Sequence, residues 1–239
     1  MAGVRNIHSN LIQDNKIFVI KGSGYYMHEI KKVNFNEGNL IETNLKRANF
    51  IGADLRVADL KESHFEGANL REANLEGANL EGANFSEANL KWSNLKEVNL
   101  KGADLREVNL EGADLEGTDL EWSNLEGANL EGANLRGANL HRANLREVNL
   151  ERADLNWAML RGANLEEADL EGTNFTGANL EGADLIKASL DGANFRWANI
   201  KGAKFDGANL NGVNLREAHY LTFDQLSKMV TIQPTKNHC

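Results

Sequence analysis

The chain has 239 residues, with 26 basic and 35 acidic side chains and a net charge of −9, a balance that argues against direct binding to nucleic acid. The single cysteine, Cys239, is the last residue, so no internal disulfide can brace the fold, and a reducing, cytoplasmic compartment is the expected setting. The longest apolar run near the start, residues 17–20, is too short for a secretory or membrane-spanning segment, and no membrane association is expected.

Residues 1–32 carry five basic and two acidic side chains. A five-residue phase persists faintly there through Ile20, Tyr25 and Ile30, without the flanking residues that accompany it later. This segment reads as an N-terminal cap, with residues 16–32 a degenerate coil or short hairpin that closes an open backbone edge.

From Phe35 to Leu215 every position divisible by five is Leu, Phe or Ile, giving 37 units without an insertion or deletion. A period of five suits neither a helix, where such residues would step around the axis, nor a strand, where they would alternate between faces. It requires a chain that turns a corner in every unit. The residue two before each central Leu or Phe is small, mostly Ala, and the residue between is mostly Asn or Asp. On a short extended stretch the central and small residues point inward and the Asn or Asp points away. Of the 22 glycines, 18 lie two residues after the central residue, where a type II turn needs positive φ. The neighbouring Asn or Asp can then bond the backbone beside the corner.

The charges that follow each central residue test how many units close one coil. Residues one coil apart are stacked neighbours, and opposite charges are favoured there. A separation of 20 residues gives 14 opposite and 6 like pairs, whereas separations of 15 or 5 show no such excess. Four units per coil are therefore expected. Lys91, Lys96, Lys101 and Arg106 form a basic ring, and Glu111, Glu116, Glu121 and Glu126 answer it in the next coil.

The A(D/N)LXX phrase over residues 33–218 resembles that of the pentapeptide repeat family. The resemblance implies an all-β solenoid, a right-handed quadrilateral β-helix of about nine coils and roughly 45 Å in length, with the small and central residues inside.

Residues 219–239 read as a capping helix and tail. Thr222 and Gln225 have the spacing of a capping box, and Phe223, Leu226, Met229 and Val230 share one helical face. The stack has two open ends, so the expected state is a monomer or an end-to-end dimer.

No catalytic constellation, metal-ligand spacing or phosphate loop appears, and the expectation is a non-catalytic protein without a cofactor. His64 and His141 replace residues usual at their positions and read as surface substitutions. Two outward features are candidate partner sites. Trp157 and Trp197 share one column, two coils apart with Gly177 between. They would either lie flat over neighbouring corners or anchor a partner protein. Three faces alternate charge from coil to coil, while the fourth carries an unbroken column of Glu111, Glu131, Glu151, Glu171 and Asp191, with Asp169 beside it. Such a strip could meet a basic partner surface.

The leading expectation is a structural or interaction module whose protein partner the sequence does not name. The family resemblance also implies an alternative, since some pentapeptide repeat proteins resemble B-form DNA in shape and charge and bind the type II topoisomerase gyrase in its place. This chain departs from the quinolone-resistance members in having no loop projecting between coils and no cysteine at the inward small positions.

Overall fold

The computed structural model of the chain describes residues 34–223 and residue 225. The expected cap over residues 1–32 lies outside the described residues, as do Leu226, Met229 and Val230. Throughout the described repeat, each residue between the small and central positions pairs in parallel with the residue 20 positions later, from Asn34↔Asp54 to Asn199↔His219. Four units thus close one coil, and the register never slips.

One unit shows why five residues suffice. The Asn129 N–H donates back to the Val108 carbonyl at 2.9 Å, and the Leu130 N–H donates forward to Asn149 at 2.7 Å. Glu131 and Gly132 form the corner. The Gly132 N–H reaches the Glu151 carbonyl at 2.8 Å, and the Ala133 N–H closes the turn on the Leu130 carbonyl at 3.0 Å. The one remaining donor, the Glu131 N–H, bonds the Asn129 Oδ1 at 3.1 Å. All five backbone donors are satisfied, four by backbone and one by the Asn side chain, which is the physical reason for Asn or Asp at that position. The same side-chain bond recurs at units as far apart as Asn34 and Asn214.

The second corner residue takes positive φ whether or not it is glycine. Gly132 has φ 62°, and Trp157 and Glu62 have 59° and 55°. Glycine relieves the steric cost there, and the inter-coil bonds hold the other residues in the same conformation.

Inside, the central and small residues form one continuous core, with Leu130, Leu170 and Ala138 all fully buried. Stacking at the coil repeat sets ring geometry: Phe65 and Phe85 lie 4.5 Å apart at 5° and Phe175 and Phe195 4.7 Å apart at 24°. Buried hydroxyls find carbonyls rather than water. Ser93 Oγ donates to Leu90 O within its own turn at 2.7 Å, while Thr118 Oγ1 reaches back a coil to Leu95 O at 2.7 Å.

At the carboxyl end Thr222 and Gln225 form the reciprocal bonds of a capping box, with the Gln225 N–H on Thr222 Oγ1 at 3.2 Å and the Thr222 N–H on Gln225 Oε1 at 2.8 Å. The expected apolar face is corrected at Phe223, which is 86% exposed. Gln225 is the buried residue instead. Its Nε2 donates to the carbonyls of Ile200 and Ala203 at 2.9 and 3.0 Å, because the last coil's carbonyl edge needs donors more than it needs apolar cover.

Candidate functional site

The residues that face solvent most fully are those at the corners, so candidate surfaces are rows of corner side chains. Glu111, Glu131, Glu151, Glu171 and Asp191 follow central residues in five consecutive coils and fall in one row. The row runs along a corner edge of the square coil rather than along a flat face, since each member opens a turn. Lys91 holds Glu111 at 2.6 Å and Arg152 holds Glu151 at 2.8 Å. Glu131, Glu171 and Asp191 have no ion pair among the described residues. Beside the row stand Gly112, Gly132, Gly172 and Gly192, so little side chain screens the carboxylates on that flank. Like charges at the spacing of stacked coils repel by roughly 0.9 kcal/mol per pair in water, so the row is not self-stabilising. Asp169 sits on the extended stretch before the corner, its Oδ1 accepting from the Glu171 N–H at 3.2 Å.

The basic ring is answered as expected at three positions. Lys91, Lys96 and Lys101 pair with Glu111, Glu116 and Glu121 at 2.6, 3.1 and 2.7 Å. Arg106 departs from the expectation. Its planar guanidinium grips its own unit's Asp104 with two bonds of 2.6 and 2.8 Å, a bidentate fit that a lysine cannot make. That grip holds the Asp104 carboxyl below the usual carboxylate range. Glu126 turns to Arg146 instead, at 3.4 Å.

Each tryptophan leans towards the corner of the next coil. Trp157 lies on Gly177, where an added Cβ would meet its ring at 2.6 Å, and Trp92 lies on Gly112 in the same way. Trp122 meets Arg142, whose guanidinium carbon is 4.7 Å from the ring centroid. Trp197 donates to Glu217 and is covered by Arg196 at 3.9 Å. Trp157 and Trp197 occupy one corner row and remain 62% and 40% exposed.

Two further features escaped the reading of the sequence. Met159 stands at a position that is otherwise polar and is 47% exposed. It interrupts the column of amide bonds in which Asn139 reaches Asp119 at 2.9 Å and Asn199 reaches Asn179 at 3.0 Å. A shallow depression of about 250 Å³ surrounds it, lined by Glu121, Asn139, His141, Arg161 and Asn179. The signal was present in the sequence, as an apolar residue in a row of Asn and Asp. The second feature is the corner row of Arg136, Asn156, Thr176, Arg196 and Arg216, which does not alternate in sign as expected of its face.

His64 lies 3.5 Å from Glu66 on the surface. Among the described residues no group of three His, Cys, Asp or Glu side chains is placed to hold a metal ion, and no helix is long and apolar enough to cross a membrane.

The family description "pentapeptide repeats (8 copies)" matches the chain in overlapping or abutting stretches that together run from residue 30 to residue 217. The chain belongs to the pentapeptide repeat family. Its square coil is accordingly the family's right-handed quadrilateral β-helix. Among solved structures, this pentapeptide repeat protein is similar to HetL, a family member from the cyanobacterium Nostoc involved in heterocyst differentiation regulation. The two are 38% identical, the match covers 77% of this chain and 88% of HetL, and the TM-score is 0.59. It is also similar in fold to QnrB1, a plasmid-mediated fluoroquinolone resistance protein, at 20% identity, with 80% of this chain and 94% of that one covered and a TM-score of 0.50. No curated protein sequence matches the chain.

Proposed function

We propose that this pentapeptide repeat protein is a non-catalytic, cytoplasmic interaction module that displays corner side chains on a stiff rod. The observation that carries the reading is the division of labour within the unit. Inward positions and backbone donors obey one repeating rule, so information is written only in the outward residues, and those depart from any repeat in the acidic row, the tryptophans and Met159. Similarity to a protein involved in the regulation of heterocyst differentiation supports a regulatory contact with another protein. Affinity capture from the source cell tests the reading. A partner retained by the parent and lost when corner residues are neutralised is the expected result. A partner retained equally by both, or turnover of a captured metabolite, would count against it.

The unbroken acidic row favours one specific alternative, a DNA mimic that occupies a type II topoisomerase. The assay is gyrase supercoiling in the presence of the purified protein. The expected result is no inhibition at micromolar concentration, because a row of carboxylates steers encounter better than it holds a complex. Inhibition that disappears when Glu111, Glu131, Glu151, Glu171 and Asp191 are changed to Gln or Asn would replace the first reading with the second.

A further inference from the structure

We propose that one side of the rod over residues 136–220, from the Trp157 and Trp197 corner to the Arg161 and Lys201 corner, docks a protein segment that is acidic and carries exposed apolar side chains. The proposal rests on the interaction-module reading and assigns it a surface and a partner chemistry.

The first observation is where the apolar side chains come out. In this half of the rod the exposed large apolar residues are Trp157, Met159, Trp197, Tyr220 and Phe223. Four of the five lie on this side, and Phe223 belongs to the terminal helix. Exposed apolar side chains gathered on one side mark an interaction site more often than the same residues spread singly around a surface do. Shielding of the backbone accounts for the inner face of Trp157, which covers Gly177. It does not account for Met159. That side chain gives up the Oδ1 that would receive the Arg161 N–H, and it breaks the amide column between Asn139 and Asn179. Folding alone favours Asn here, so a methionine held at the surface points to contact with something outside the rod.

The second observation is charge. On this side, counted from one corner through the other, residues 136–219 hold six basic and two acidic side chains. The remainder of the same coils holds four basic and ten acidic ones. A protein of net charge −9 thus presents a basic stripe around its exposed aromatics. Two of these cations are loosely engaged within the chain: Arg136 is 3.9 Å from Asp154 and Arg161 is 4.0 Å from Glu181. Arg196 lies over Trp197, its guanidinium carbon 3.9 Å from the ring centroid, a pairing of two residue types that often carry binding energy at interfaces.

Acidic and apolar together describe the complementary partner. Carboxylates would meet the guanidinium groups, and an apolar side chain would enter the depression at Met159 between His141 and Arg161. Phosphates could meet the same cations, but a nucleic acid long enough to span the stripe would also pass the acidic sides of the rod, which repel it.

The test uses the full-length protein and fluorescent peptides read by anisotropy. The probes are an alternating Glu and Leu peptide, its Gln and Leu and Lys and Leu counterparts, and single-stranded DNA of similar length. The Glu and Leu peptide should bind about tenfold more tightly than the Gln form, and salt should weaken it. Changing Arg136, Arg161 and Arg216 together to Gln should weaken it about tenfold. The single change Met159→Asn, which restores the amide column and so preserves the fold, should weaken it several-fold. Glu131→Gln with Glu171→Gln, on the acidic corner, should not weaken it. Equal binding of the Glu, Gln and Lys peptides, tighter binding of DNA, or insensitivity to both the arginine changes and Met159→Asn would overturn the assignment. Affinity for the probe is scored without reference to any cellular partner, so a failed capture experiment and a failed docking surface remain distinguishable.

Discussion

Residues 34–135 and 136–219 follow one backbone rule and arrange their charges by two different ones. In the first half the side that bears Ile41 and Val57 has ten acidic and four basic residues, and the rest of those coils has ten and five. Acidic charge is in excess on every side of these coils, and the cations are paired along the rod, as in the Lys91, Lys96 and Lys101 pairs. In the second half the cations gather on one side and the acids on the others. Both halves bury the same residue types to the same degree, so packing does not require the difference. In this fold stability and surface chemistry are therefore nearly independent, because the side chains that fill the core are not those that meet solvent.

The two halves share one core, and substitutions there carry the greatest cost. Leu130→Asp and Leu170→Asp, one in each half, should each cost more than about 4 kcal/mol, because a buried carboxylate would have no partner. Urea titration of the two variants should show similar losses. A midpoint equal to the parent's at either site would mean that the halves do not share a core.

The next effect is confined to one end. Gln225→Ala removes the donors to Ile200 O and Ala203 O and should cost about 1–3 kcal/mol locally. Hydrogen exchange should quicken in the last coil and stay unchanged around residues 60–100. Uniform quickening would show that the rod unfolds as a single unit and that the two halves cannot be treated separately.

A reciprocal pair sharpens the claim about the outward column that contains Met159. Asn99 accepts from the Lys101 N–H at 3.1 Å and donates to Asn79 at 3.1 Å. Asn99→Met should therefore destabilise by about 1 kcal/mol, and Met159→Asn should stabilise by a similar amount. Thermal melts would record shifts of opposite sign. A loss of stability on Met159→Asn would mean that the methionine is there for folding.

The smallest effect concerns acid. Bonds to Arg106 hold Asp104 below the ordinary carboxylate range, and Lys101 does the same for Glu121. A depressed carboxyl contributes stability above its unfolded pKa of about 4 and loses it as pH falls through the folded value. Asp104→Asn should slightly flatten the decline in melting temperature between about pH 5 and pH 3, the carboxylate titration range. The effect is small because these pairs are solvent-exposed and screened. An unchanged acid limb in this variant would show that the pair contributes nothing measurable.

The coil was legible because its causes are local. A central apolar residue, a small residue two before it, an Asn or Asp between them and a tolerance for positive φ all recur within five letters, and the 20-residue charge complementarity yielded the number of units per coil. The acidic row and the shared column of Trp157 and Trp197 followed from that number alone. Three matters needed the folded chain. The reach of a planar guanidinium to a carboxylate two residues away, against the reach of a lysine to the next coil, decided that Arg106 would bind Asp104 and not Glu126. The unsatisfied carbonyls of the last coil decided that Gln225 would be buried and Phe223 exposed. The gathering of cations and apolar side chains on one side spans residues from 136 to 220. Five-residue periodicity is blind to it, because proximity across coils is created by stacking and is absent from any single unit.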